Sequence, residues 1–76
     1  MPNMNDQETW LREVGLRIRR AREECKLSQE ELSERSGVGR LTISKLERGV
    51  QGNIKTTTAL SLSRALNVSV GYLLCE

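Results

Sequence analysis

SQEELSERSGVGRLTISKLERG, residues 28–49, holds two short runs of helix-compatible residues on either side of Gly37-Val38-Gly39. Ser28 and Glu31 stand at the Ser-x-x-Glu spacing of a capping box, in which a hydroxyl and a carboxylate each take up an amide donor orphaned at a helix start. A helix is therefore predicted from Ser28 to about Ser36-Gly37, where Gly37 accepts the left-handed conformation that commonly follows a helix. A second helix is predicted from about Arg40 to Arg48, closed by Gly49.

The two faces of that second helix differ. On a wheel of about 100° per residue with Arg40 at zero, Ser44 falls at about 40°, Arg48 at about 80°, Leu41 at about 100° and Lys45 at about 140°. Gly39, Ile43, Leu46 and Glu47 take the opposite side. One face packs, while the other bears long cations, a hydroxyl and a lone leucine. The B-DNA major groove admits one α-helix of this kind. Arg40 and Lys45 can donate to guanine O6 and N7, and the Leu41 methyls suit the thymine C5-methyl. Arg48, near the far end, is placed for a phosphate. Gln29, in the first turn of the preceding helix, lies where free amides and a positive dipole end attract an anion, and is expected to bond a phosphate. An ordinary solvated surface is the competing reading of these residues.

Outward from this pair of helices, the chain continues to look helical. Residues 1–8 are expected as a flexible tail, with residues 9–76 as one domain. Helix begins at about Asp6, and Trp10, Leu11, Val14, Ile18, Ala21 and Cys25 form one stripe at helical spacing. That helix should stop near Lys26, and Cys25 on its apolar stripe reads as a buried free thiol. Residues 50–55 read as a loop with Ile54 dipping into the core. A fourth helix is predicted over about Thr56–Leu66, ended by Asn67, and a short fifth is capped by Ser69, with Val70, Leu73 and Leu74 inward. No stretch alternates with period two long enough for a strand. The fold class is all-α, with five short helices.

At 76 residues a single core is workable, and with no Phe, one Trp and one Tyr it must be aliphatic. Hydrophobic residues make up 37% and charged residues 29% of the chain, a globular balance. The net charge of +2 is modest, but it is unevenly spread. Residues 40–55 carry four bases against one acid, and residues 23–34 carry five acids against one base. The positive end is local, as a docking face would be. Two cysteines without histidine do not make a metal site. No Gly-rich phosphate loop or cysteine beside a base supports nucleotide binding or nucleophilic catalysis. No cofactor is therefore expected, and no enzyme activity. Without a signal peptide or long apolar run, a cytoplasmic, nucleoid-associated protein with no membrane partner is expected.

GLRIRRAREECKLSQEELSERSGVGRLTISKLERG, residues 15–49, resembles the Cro/C1-type helix-turn-helix domain of phage repressors and xenobiotic-response-element regulators. Gly15, Ile18, Arg19, Arg22, Leu27, Ser28, Gln29, Leu32, Gly37, Val38, Ile43, Ser44, Glu47 and Gly49 stand at matching places. RALNVSVGYLL, residues 64–74, is similar to the family's closing segment. The resemblance spans about Leu11 to Leu74 and implies a five-helix, lambda-repressor-like DNA-binding domain. It places Gln29, Arg40, Leu41, Ser44 and Lys45 at base-contacting or base-proximal positions, with Gln29 often clamping a phosphate, and Thr42, Arg48, Asn53 and Lys55 at phosphate-contacting ones. It also implies a structural ion pair between Arg22 and Glu47, with which the helical wheels agree. Three residues depart from the pattern: Lys26 stands for a common glycine, Ser33 for alanine, whose hydroxyl must then bond a carbonyl, and Gly39 for a Ser or Asn cap.

The expected function is sequence-specific binding of double-stranded DNA by a transcriptional regulator. It is expected to act as a homodimer on a palindromic operator, with Val70, Tyr72 and Leu74 as candidate dimer contacts. A controller of a restriction–modification locus is a subtype of this reading. The alternative is an antitoxin or adaptor that keeps the fold and binds a protein partner.

Overall fold

The computed structural model describes residues 6–76. Among them the chain forms five helices and no strand: α1 (Asp6–Glu24), α2 (Gln29–Ser36), α3 (Arg40–Glu47), α4 (Thr56–Leu66) and α5 (Val70–Leu73). Of the tail expected over residues 1–8, residues 1–5 lie outside the description, and Asp6, Gln7 and Glu8 open α1. α1 packs against α3, α4 and α5, while α2 lies between α3 and α4.

The core is aliphatic throughout. Val14, Ile18, Leu32, Ile43, Leu62 and Leu73 are fully buried, and Ala21, Leu27, Leu46 and Leu66 complete the cluster. Burying each of the larger side chains is worth about 1.5–3 kcal/mol relative to exposure. Trp10 packs at the edge and its indole N–H donates to the Leu74 carbonyl at 2.7 Å, satisfying the polar end of a large ring. Arg17 donates to the Tyr72 carbonyl at 2.8 Å and lies 5.0 Å over the Tyr72 ring. These two clamps fix α5 to α1. Of the candidate dimer contacts, Val70 and Leu74 are half-buried and Tyr72 is exposed.

The helix ends follow local chemistry. Ser28 and Glu31 form the complete capping box, with the Glu31 amide donating to Ser28 Oγ at 3.0 Å and the Ser28 amide donating to Glu31 at 2.8 Å. That second bond holds the Glu31 carboxyl below its usual range. Gly37 closes α2 in the left-handed conformation, and the Ser33 hydroxyl reaches across the turn to the Val38 carbonyl at 2.6 Å. Ser69 caps α5.

α1, α3, α4 and α5 share one closure. After each, two successive amides bond back to carbonyls three and five residues earlier, with a left-handed residue between. Only Gly49 fills that position with glycine; Lys26, Asn67 and Cys75 fill the others. The chain thus turns at Lys26 (φ 58°) without the residue that makes the turn easy. Lys26→Gly is expected to raise stability by about 0.5–1 kcal/mol, relief of that conformation being partly offset by the greater freedom of glycine in the unfolded chain. A higher urea midpoint at unchanged m would establish it, and an unchanged midpoint would refute it.

The same closure corrects the reading of Cys25. α1 ends at Glu24, so the apolar stripe does not carry through to the next residue. Cys25 is exposed, with its thiol 3.6 Å from the Leu66 carbonyl. A helical wheel assigns a face only while the helix lasts.

Candidate nucleic-acid interface

α3 is anchored by Ile43 and Leu46, both buried, and lies against α1 at a contact where one residue of α1 has no side chain. A Cβ built on Gly15 would overlap the Leu46 carbonyl oxygen and lie 3.0 Å from its carbon and 3.3 Å from Glu47 Cα. The two backbones therefore touch, and this contact sets how far α3 stands out from the body. The helix begins at Gly39 with no side-chain cap, as glycine dictates, and ends at Glu47, with Arg48 as its C-cap. Leu41, at 64% exposure, is the most exposed large hydrophobic residue among those described. Arg40, Lys45 and Arg48 are exposed around it, and Ser44 is half-buried.

Behind this face lies a polar network. Arg22 of α1 donates two parallel bonds to Glu47, at 2.7 Å from Nε and 2.9 Å from Nη2, and a third to the Leu27 carbonyl at 2.8 Å. The side chains are 13% and 4% exposed. The hydrogen bond to Glu47 raises the Arg22 pKa further above its already high usual value. Glu47 accepts one more bond, from Gln29 Nε2 at 3.1 Å. Three helices thus meet on one carboxylate. Gln29 at the start of α2 has one of its two amide hydrogens committed inward, so its side chain is held rather than free.

The candidate site residues are divided among separate clefts. Gln29 shares a shallow cleft of about 200 Å³ with Arg40, Leu41 and Ser44. Thr42, Asn53 and Lys55 line a separate cavity of about 140 Å³ on the side of α3 toward α4. Asn53 Oδ1 accepts from the Ile54 amide at 2.8 Å, and Lys55 is the N-cap residue of α4. Lys45 projects outside both. Arg48 borders a third cleft with Arg12 and Leu16 of α1.

Arg12 is the functional candidate that sequence reasoning missed. In α1 it was one of several arginines off the apolar stripe, with nothing to distinguish it. Its aliphatic stem passes close to Gly49, where an added Cβ would come within 2.8 Å of Arg12 Cγ. Arg12 is exposed and lines the same cleft as Arg48, which adds a second arginine at that end of α3. Among the described residues no cluster of His, Cys, Asp and Glu could hold a metal ion, and no helix is long and apolar enough to cross a membrane.

Residues 18–73 match the family model described as helix-turn-helix. Over 63 residues the chain is 38% identical to the HTH-type transcriptional regulator SinR of Bacillus subtilis (strain 168), and equally to SinR of Bacillus licheniformis. The matched region covers 83% of this chain but 57% of each SinR, so the chain spans little more than half the length of these relatives. The fold is similar to the crystal structure of the restriction-modification controller protein C.AhdI from Aeromonas hydrophila, with a TM-score of 0.78 and 35% identity. That match covers 83% of this chain and 94% of the controller.

Proposed function

The chain belongs to the helix-turn-helix family, and from that premise we propose that it is a transcriptional regulator that binds double-stranded DNA sequence-specifically, laying α3 in the major groove. The observation that carries this reading is the outward face of α3. Arg40, Leu41 and Lys45 stand exposed on a helix whose opposite residues, Ile43 and Leu46, are buried. Leu41 is the one apolar side chain on that outward face, set among the cations at 64% exposure. In the major groove each finds a partner, the cations at guanine O6 and N7 and the leucine at a thymine methyl.

Base contacts come from Arg40, Leu41, Ser44 and Lys45. Arg48 and Arg12 at one end of α3, and Thr42, Asn53 and Lys55 on the side toward α4, meet phosphates and fix the register. One such module covers half a site, so a homodimer is expected on a palindrome with half-sites about one helical turn apart. The structural likeness to a restriction-modification controller supports that context as a more specific reading of the same function.

Selection of bound sites from random duplex DNA tests the proposal. Arg40→Ala is expected to lose about 1–3 kcal/mol of affinity on the selected site and little on random sequence. Arg48→Ala is expected to weaken both alike and to lower the slope of affinity against salt by about one unit. Equal losses on both kinds of DNA from Arg40→Ala would remove Arg40 from base reading, and a wild-type protein that binds no duplex at low salt would end the proposal.

A further inference from the structure

We propose that the cleft between the starts of α2 and α3 is a specificity pocket for a single T·A base pair, in which Gln29 reads the adenine edge and Leu41 receives the thymine methyl. This rests on the DNA-binding reading above and gives Gln29 a defined base contact, where its place in the first turn of α2 led to the expectation of a phosphate contact.

The first support is placement. Gln29 opens onto the same cleft as Arg40, Leu41 and Ser44, and does not line the cavity that holds Thr42, Asn53 and Lys55. The second is the state of its amide. One hydrogen on Nε2 is bonded to Glu47, which the two bonds from Arg22 hold in turn. What remains is one N–H donor and the carbonyl acceptor. A phosphate offers acceptors only and would leave that carbonyl unpaired. Adenine offers both counterparts, N7 as acceptor and N6–H as donor. Guanine would set its O6 acceptor against the Gln29 carbonyl, so the fixed amide discriminates between the purines. The third is Leu41, whose 64% exposed side chain borders the cleft. The thymine methyl and adenine N7 lie at opposite ends of one major-groove edge. An apolar side chain and a donor–acceptor pair bordering one cleft match that edge.

Base analogues in the selected duplexes separate the two contacts. Replacing one thymine by uracil, which removes only the methyl, is expected to weaken wild-type binding about fourfold at one position of each half-site. Replacing the paired adenine by 7-deazaadenine, which removes only the N7 acceptor, is expected to weaken it roughly tenfold. Leu41→Ala should lose the uracil sensitivity, and Gln29→Ala the deazaadenine sensitivity. Thermal unfolding reports whether each variant is folded. Leu41 is exposed, so Leu41→Ala keeps the pocket testable even if Gln29→Ala loosens the network. Indifference of the wild type to both analogues at every position would overturn the pocket, as would variants that keep the wild-type sensitivities. Sensitivity to uracil alone would return Gln29 to the phosphates and overturn its half of the assignment. A wild-type protein that binds no duplex at all would instead sink the DNA-binding reading beneath it, which is a different result.

Discussion

Gly15→Ala is expected to destabilise the protein by about 3 kcal/mol or more, lowering the melting temperature by roughly 12–24 °C. Overpacking a core with one methyl group commonly costs about 1–3 kcal/mol, because neighbouring side chains can rotate aside. Here the obstruction is the Leu46 carbonyl, with its carbon 3.0 Å and Glu47 Cα 3.3 Å away. These are backbone atoms inside α3, and they move only if the whole helix moves. Alanine's better helix propensity returns about 1 kcal/mol and does not reverse the sign. If α3 swings out to admit the methyl, its exposed face tilts with it, so on the proposed function a variant that still folds should bind duplex DNA more weakly. Differential scanning calorimetry decides the point. A melting temperature within a few degrees of wild type would mean that α1 and α3 do not approach as closely as described.

Glu47→Ala is expected to cost about 3–5 kcal/mol, the penalty for removing one partner of a buried ion pair. Arg22 would keep its bond to the Leu27 carbonyl but lose both charge-assisted bonds, and its 13% exposed side chain gives water little access. Gln29 would lose its inward anchor at the same time. Arg22→Met combined with Glu47→Leu should recover most of the loss, because no charge is then left buried without a partner. Urea denaturation of both variants separates the cases. If Glu47→Ala unfolds within about 1 kcal/mol of wild type, the pair behaves as an exposed one. The double variant also tests function, since it restores packing without restoring the Gln29 anchor.

Much of the fold was legible because its signals are local. The capping box at Ser28 and Glu31, the left-handed closures at Gly37 and Asn67, and the cap at Ser69 each involve residues a few positions apart. The α1 stripe was readable for the same reason, and the reading failed at Cys25, where the helix stops. Lys26 shows the opposite case. The sequence lacks the glycine that announces a helix end, but the backbone closes there in the usual way because Leu27 must turn back into the core.

The sequence by itself determined the class of fold, the helix limits to within about two residues, and the two faces of α3, because caps and helical periodicity act over one or two turns of chain. Tertiary structure alone decided the rest. The Arg22–Glu47 pair, 25 residues apart, was implied by the family resemblance, but its junction with Gln29, 18 residues from Glu47, was not. Those contacts set the grouping of Gln29 with Arg40 and Leu41. The need for a bare α-carbon at Gly15 and the arrival of Arg12 beside Arg48 depend likewise on how separate helices cross. No spacing along the chain encodes such crossings; they follow from filling one aliphatic core with five rigid rods at close-packed density.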